Sequence, residues 1–237
     1  MVLSLVDIAL LYGVLLASLV VHEAAHATVA LLGGDRTAYL GGQVTLNPIP
    51  HIRREPFGTV ILPLAMLLLS KMSASGGFMF FGYASTPIDP AWAYRHPRRA
   101  ALMSAAGPLS NFLLAALAFG VLKLLVAIGQ AELDYPYGFL QLLHAADGSQ
   151  SGALVAVIRI ASVFLCLNVL LGMLNLIPLP PLDGAGVVEG LFPRQTRGFY
   201  AFLRGQPLVF VIVLILIWRF LPDVYLPTMD WLRDALG

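Results

Sequence analysis

The chain has 237 residues, of which 59% are hydrophobic and only 11% are charged, and its mean hydropathy is +0.83. A water-soluble domain of this size needs about a quarter of its residues charged. The net charge of +1 gives no electrostatic basis for binding a nucleic acid. Several apolar segments approach or exceed the roughly 20 residues that cross a bilayer. The sequence therefore predicts an integral membrane protein in contact with the lipid bilayer, with no nucleic-acid partner.

The first apolar segment, about residues 3–32, predicts a helix that ends at Gly33-Gly34-Asp35. Residues 36–50 contain strand-favouring side chains, a Gly41-Gly42 turn and a terminal Asn47-Pro48, and they predict a short β-hairpin. The next apolar block, about 57–84, is broken by prolines and glycines. It is either a tight helical hairpin or a re-entrant segment.

Three further helices are predicted over about residues 100–128, 153–177 and 207–221. The predicted fold is an all-α polytopic membrane protein with about four to six transmembrane segments and a small membrane-associated β-hairpin after the first helix. We find no long polar linker and no internal repeat. The chain is therefore interpreted as one domain over 1–237, with a core of about 3–190 that carries the chemistry and a last helix at about 207–221.

Positive charge indicates the orientation of the chain. The loop at 129–150 has acidic residues and no Lys or Arg. The positive-inside rule places this loop outside and the basic residues in the cytoplasm. The block at 57–84 must then cross an even number of times or not at all. The basic residues form three patches: Arg53-Arg54; Arg95, Arg98 and Arg99; and Arg194, Arg197 and Arg204.

A metal-binding pattern lies in the first helix, at His22-Glu23-Ala24-Ala25-His26. Residues four apart share one face of a helix, so both imidazoles can reach one ion. Glu23 is placed to act on a metal-bound water without being a ligand. The alternative is a polar patch that bonds to a neighbouring helix. Ionisable groups inside a membrane span favour the functional interpretation.

A catalytic zinc site usually has a third protein ligand. Asp183 is favoured because it follows a proline-rich break after the helix at 153–177, and the predicted orientation puts it at the cytoplasmic depth of the two histidines. Asp183-Gly184 could also be an ordinary turn. The other candidates are Glu189, Asp35, Asp89, His51 and His96, although both histidines are better explained as solvated surface residues.

Two asparagines have open roles. Asn111 follows Gly107-Pro108, where a break in the helix is expected, and it either bonds a substrate backbone or caps exposed helix groups. Asn175 has the same two alternatives, and its position near Asp183 favours substrate binding. Asn168 is better explained as a contact between helices.

Three segments resemble, in the same order, the signature motifs of the site-2 protease family of intramembrane zinc metalloproteases. They are His22-Glu23-Ala24-Ala25-His26, Gly107-Pro108-Leu109-Ser110-Asn111 and Asn175-Leu-Ile-Pro-Leu-Pro-Pro-Leu-Asp183-Gly184. Leu46-Asn47-Pro48 and His96-Pro97-Arg98-Arg99 also resemble segments of its compact prokaryotic members. No segment resembles the PDZ or CBS domains that many members carry.

The resemblance implies one Zn²⁺ per chain, with His22, His26 and Asp183 as ligands and Glu23 as the catalytic base. It implies an intramembrane zinc-dependent endopeptidase that cleaves membrane-spanning protein substrates near the cytoplasmic side of a prokaryotic cell membrane. Two alternatives are a zinc or proton transporter, which the lack of an inverted repeat disfavours, and a non-catalytic membrane metal-binding protein, which the intact Glu23 disfavours. The sequence does not indicate the oligomeric state.

Overall fold

The computed structural model describes residues 3–72, 82–146, 151–206 and 208–237. These residues are mainly helical, with a π-helical turn at Phe57–Ile61 and a two-stranded antiparallel sheet of β1 (Ala131–Gly138) and β2 (Gln141–Ala145). The helices are α1 (Leu5–Leu32), α2 (Thr37–Leu40), α3 (Pro48–Arg54), α4 (Leu62–Met72), α5 (Pro90–Arg95), α6 (Pro97–Ala127), α7 (Gly152–Asn175), α8 (Asp183–Leu191), α9 (Pro193–Arg204) and α10 (Val209–Leu236).

Four of the described helices are long and apolar enough to cross a bilayer. They are α1, α6, α7 and the part of α10 from Val211 to Leu236. Many of their large apolar side chains are exposed, as expected of surfaces that face lipid. The chain is an integral membrane protein, and the predicted helical, polytopic fold class is confirmed.

The helices α1, α6 and α7 pack against one another and form the centre of the molecule. The hairpin β1–β2 packs across one end of this bundle, where Leu142 and Leu143 join an apolar cluster with Leu122 of α6 and Leu236 of α10. The start of α1 lies at the same end, because Leu3 and Ile8 belong to a cluster that includes Leu140. The C-terminal end of α1 therefore lies at the end of the bundle opposite the hairpin.

The predicted boundaries of α1 are confirmed. Ser4 and Asp7 form a capping box, in which each side chain bonds the backbone N–H of the other, so the helix begins at Leu5. At the other end Gly33 caps the helix, and Gly34 has φ +98°, a conformation that only glycine adopts readily.

The predicted hairpin is present, but not at residues 36–50. That segment forms α2 and α3, and the described sheet is β1–β2 in the acidic loop. The Asn47 side chain accepts from the Ile49 amide and Pro48 occupies the first helical turn, so Asn47-Pro48 starts a helix instead of ending a strand. Strand formation depends on a partner strand, and the described residues place none beside this segment.

The last helix is longer than predicted. The predicted end is at about residue 221, but α10 continues to Leu236 with Pro222 and Pro227 inside it. Its final turns pack well: Met229 and Leu236 are almost fully buried. The Lys123 ammonium of α6 donates to the carbonyl oxygens of Ala235 and Leu236. These contacts outweigh the hydrogen bonds that the prolines remove.

The described parts of the apolar block at 57–84 pack against the bundle, because α4 contacts α1 and Leu67 belongs to the same apolar cluster as Leu11 and Leu15. The Tyr83 amide donates to the Gly58 carbonyl over 3.0 Å, so the two ends of the block lie side by side. Because its two ends are adjacent, the block agrees with the predicted even number of membrane crossings or none. Residues 73–81 lie outside the described part of the chain, so the choice between a helical hairpin and a re-entrant segment stays a prediction.

Asp35 joins the end of α1 to two later segments. Its Oδ1 accepts from the amide and the hydroxyl of Thr37, and its Oδ2 accepts from the Asp89 amide over 2.8 Å. Burial raises the pKa of Asp35, but the three donated hydrogen bonds lower it more, so the pKa lies below its usual value of 3.8. The carboxylate is therefore a negatively charged anchor.

Replacing Asp35 with Ala should lower the free energy of unfolding by about 1–3 kcal/mol at neutral pH, because the Thr37 and Asp89 donors lose their charged acceptor. The folded-state pKa is depressed, so the stabilisation is complete above pH 3.8 and is lost as the pH falls through the lower folded-state value. Thermal unfolding in detergent measures the difference. The exposed Glu132→Gln is the control, and a pH-independent difference between wild type and Asp35→Ala would contradict the assignment.

Candidate metal centre

Two helices distant in sequence bring three metal-binding groups together. His22 and His26 lie one turn apart on α1, with ring centroids 4.6 Å apart. Asp183 is the first residue of α8, which follows the proline-rich segment after α7. His22 Nε2 lies 3.0 Å from His26 Nε2, and the Asp183 Oδ2 lies 3.1 Å from the former and 3.3 Å from the latter.

This triangle fits a divalent cation. A tetrahedral zinc ion with bonds of about 2.0–2.1 Å keeps its ligand atoms about 3.3–3.4 Å apart. Both histidines are almost fully buried, and their two Nε2 lone pairs face each other and a carboxylate. Three electron-rich atoms at these distances repel one another unless a positive charge lies between them. The donor set therefore fits a metal ion.

In both rings, a hydrogen bond from the Nδ1 atom fixes the tautomer that metal binding through Nε2 requires. His22 Nδ1 donates to the Asn111 Oδ1 over 2.6 Å, and His26 Nδ1 donates to the Met103 carbonyl over 2.6 Å. Both acceptors lie on α6. With Nδ1 protonated, each Nε2 presents an unprotonated lone pair to the site.

Asn111 also connects the site to the rest of the bundle. Its Nδ2 donates to the Asn168 Oδ1 of α7 over 2.8 Å, and the Asn168 Nδ2 donates to the Ser18 hydroxyl of α1 over 2.9 Å. All three side chains are fully buried. The network thus ties the three central helices together around His22, and the predicted helix-contact role of Asn168 is confirmed.

Gly107 provides the space for the two imidazoles. A Cβ at this position would lie 2.3 Å from His26 Nε2 and 2.5 Å from His22 Nε2. Any larger residue would therefore clash with the two ligand atoms. The sequence shows the motif that contains Gly107. It does not predict that Gly107 makes room for the imidazoles, because that role depends on the distance between α1 and α6.

Asp183 is held by the contact between α8 and the end of α7. A Cβ at Gly184 would lie 2.3 Å from the Leu176 carbonyl oxygen and 2.5 Å from that of Ile177. Asp183 presents its Oδ2 to both histidine Nε2 atoms, as a carboxylate that shares a cation with two imidazoles does.

Glu23 is 4% exposed and belongs to the buried end of α1. Its Oε2 accepts a hydrogen bond of 2.7 Å from the Thr86 hydroxyl. Thr86 lies in the segment between the undescribed residues 73–81 and α5, and no pattern in the sequence predicts this contact. The geometry keeps Glu23 beside the two histidines as a carboxylate that is not part of the ligand triangle.

The other candidate ligands have different partners. Glu189 accepts two hydrogen bonds from Arg204, and Asp89 caps α5 by accepting from the Ala91 amide. Asp35 is the anchor described above. His51 was expected to be a solvated surface residue, but it is 2% exposed and bonds the Thr45 carbonyl. Among the described residues, the grouping that could hold a metal is His22, His26 and Asp183.

The substrate roles of Asn111 and Asn175 stay predictions. Asn111 does not follow a break, because α6 continues through Pro108, and the amide of Asn111 already bonds His22 and Asn168. Asn175 is partly buried at the end of α7, and its Nδ2 donates to the Leu171 carbonyl of the same helix. The structure therefore gives Asn111 a positioning role at the metal centre.

Two adjoining cavities lie beside Asp183. One has a volume of about 430 Å³ and is lined by Asp183 and by residues of α6, α8 and α10. The second, of about 550 Å³, extends toward Tyr94 and Arg197. They share Ile88, Met103, Ser104, Gly186 and Arg204. The two cavities together form a cleft whose wall includes Asp183.

Replacing Asn111 with Ala should weaken metal binding by about 10- to 100-fold, because the ring of His22 loses the acceptor that orients it. Competition with a chromogenic chelator measures the affinity of the purified protein. Asn175→Ala is the matched control, since the Asn175 side chain bonds the Leu171 carbonyl of its own helix and, among the described residues, none of the metal-binding groups. Equal affinities for Asn111→Ala and wild type would contradict the positioning role.

Replacing Gly107 with Ala should abolish stoichiometric metal binding, because the added Cβ would lie within 2.5 Å of both Nε2 atoms and would force the ligand atoms apart. Gly120→Ala is the control on the same helix, where a Cβ would meet no atom within 4 Å. Metal content after dialysis distinguishes the two variants. A Gly107→Ala protein that retains one equivalent of metal would show that the packing is looser than described.

Comparison with known proteins agrees with the geometry of the site. The model of peptidase family M50 matches residues 10–219. The chain is 34% identical over 204 residues to "Putative zinc metalloprotease YwhC" of Bacillus subtilis, which covers 85% of this chain and 77% of that protein.

Two mycobacterial relatives bear the name "Putative zinc metalloprotease Rip2". The protein of Mycolicibacterium smegmatis is 27% identical over 85% of this chain and 64% of its own length. That of Mycobacterium tuberculosis is 30% identical over 94% of this chain and 72% of its own length. No solved structure matches the chain. The chain belongs to peptidase family M50, the site-2 protease family of zinc metalloproteases.

Proposed function

We propose that this metalloprotease cleaves peptide bonds within the membrane-spanning segments of other proteins, near the cytoplasmic side of a prokaryotic cell membrane. The observation that carries the proposal is the meeting of His22, His26 and Asp183 beside Glu23, on helices of a bilayer-spanning bundle. Ionisable residues in such surroundings are costly unless they serve a function. The substrates are accordingly membrane-spanning proteins.

Zn²⁺ is the ion that the donor set favours, with one ion per chain. Two imidazole nitrogens and one carboxylate oxygen are a common ligand set of catalytic zinc, which keeps a fourth position for water or substrate. Mg²⁺ and Ca²⁺ prefer oxygen ligands and higher coordination numbers. A zinc ion at this site supplies Lewis acidity, which lowers the pKa of water and polarises a carbonyl group.

Glu23 performs the proton transfers. Its carboxylate takes a proton from the attacking water, whose oxygen forms a bond to the carbonyl carbon of the substrate. Glu23 then gives the proton to the amide nitrogen and the carbon–nitrogen bond breaks. The second proton of the water passes to the departing amine, so the products are a carboxylate and an ammonium group. Burial of Glu23 limits competition from bulk solvent.

The cleft beside Asp183 is the route for substrate and water. A membrane-spanning helix hides its carbonyl groups in its own hydrogen bonds, so the substrate must unwind before attack. The cleft lies at the end of the bundle opposite the hairpin, beside the basic residues Arg197 and Arg204. By the positive-inside rule these residues favour a cytoplasmic location for the cleft.

Replacing Glu23 with Gln should leave one zinc per chain while lowering peptide cleavage by about 10²- to 10⁴-fold, because Gln cannot accept the proton. Metal analysis measures the first outcome. The second is measured with fluorescein-labelled casein, an unfolded probe, and by quantitative proteomics of membranes from cells that carry either form. Intact membrane substrates should accumulate with Glu23→Gln.

The exposed Glu132→Gln on the hairpin is the control for the same chemical change. Cleavage by Glu23→Gln at the wild-type rate would refute the role of Glu23. Zinc flux through vesicles that contain the purified chain, without cleavage of either probe, would support the transporter alternative.

A further inference from the structure

The short segment of residues 82–89, here called the crossover segment, lies against α1 beside the metal centre. Thr86 in this segment places its Oγ1 at 2.7 Å from the Glu23 Oε2 and at 3.1 Å from the Glu23 carbonyl oxygen. A hydroxyl carries one proton, and the shorter distance with the charged acceptor favours donation to the carboxylate.

The crossover segment is fixed on both sides of Thr86. On one side the Ser85 hydroxyl donates to the Glu55 Oε1 over 2.6 Å, and the Ser85 carbonyl accepts from Arg54 over 3.0 Å. On the other side the Asp89 amide donates to the buried Asp35 carboxylate. None of these contacts involves Glu23. The position of the Thr86 hydroxyl is therefore set independently of the side chain that it bonds.

Glu23 needs such a partner for a physical reason. A metal ligand is oriented by its ion, but Glu23 is outside the ligand triangle and its side chain has several rotatable bonds. A hydrogen bond to Oε2 selects one orientation and leaves Oε1 as the oxygen that can accept a proton. Misplacement of a catalytic group by about 1 Å can cost about 10²-fold in rate.

We propose that Thr86 is a positioning residue that holds the Glu23 carboxylate in its productive orientation. This inference rests on the proposed proteolytic function, because it assigns the orientation of the base in that reaction. The same segment places Ile88 in the wall of both cavities. The element that orients the base therefore also borders the proposed substrate path.

The test compares two substitutions of Thr86 in the purified, zinc-loaded full chain. Thr86→Val keeps the branched shape and removes the hydroxyl, and kcat on labelled casein should fall about 10- to 100-fold with KM unchanged. Thr86→Ser keeps the hydroxyl and should restore kcat. Thr28→Val is the matched control, since the Thr28 hydroxyl on α1 bonds the Ala24 carbonyl and not the site.

A second measurement does not depend on activity. Infrared difference spectra between the metal-free wild type and Glu23→Gln isolate the carboxylate band of Glu23. Thr86→Val should shift this band, whereas Thr86→Ser and Thr28→Val should not. Zinc content should stay at one per chain in all these variants.

The proposal is overturned if Thr86→Val and Thr86→Ser lower kcat equally, since shape would then matter and not the hydroxyl. It is also overturned if only KM changes, if Thr86→Val loses zinc, or if the infrared band does not move. Retained cleavage by Glu23→Gln would instead remove the proposed function, and the infrared result would still decide whether Thr86 bonds Glu23.

Discussion

The structure depends on one electrostatic constraint: two imidazole nitrogens and a carboxylate oxygen lie within 3.3 Å of one another inside an apolar bundle. Such an arrangement is repulsive unless a cation compensates it and surrounding groups hold it in place. The hydrogen bonds from the Nδ1 atoms to Asn111 and to the Met103 carbonyl meet the second requirement. The position of α6 against α1 therefore follows from the chemistry of the site as well as from apolar packing.

The bundle accommodates this site by using small residues where bulk would obstruct it. Gly107 keeps α6 clear of the ligand atoms, and Gly184 lets α8 begin against the last turn of α7. The network through Asn168 and Ser18 adds specific polar contacts within an otherwise apolar interface. Fully bonded buried polar groups of this kind favour one arrangement of the helices over others that bury the same apolar area.

Local signals were reliable where the physics is local. Helix length, the stop at Gly33-Gly34 and the face shared by His22 and His26 depend only on neighbouring residues, and all were predicted. The failures have non-local causes. Strand-favouring residues at 36–50 form helices, and no strand in the described part of the chain lies beside them as a partner. Pro222 does not end α10 because tertiary contacts at Met229 and Leu236 stabilise the turns beyond it.

The sequence by itself determined the membrane environment, the helical class, the paired histidines and the carboxylate between them, because composition and helical periodicity encode these directly. It also favoured Asp183 as their partner. Only the tertiary structure decided what surrounds the site: the space at Gly107, the bond from Asn111 to His22 and the contact of Thr86 with Glu23. These depend on distances between segments that are 60 or more residues apart, and such distances leave no periodic trace in the sequence.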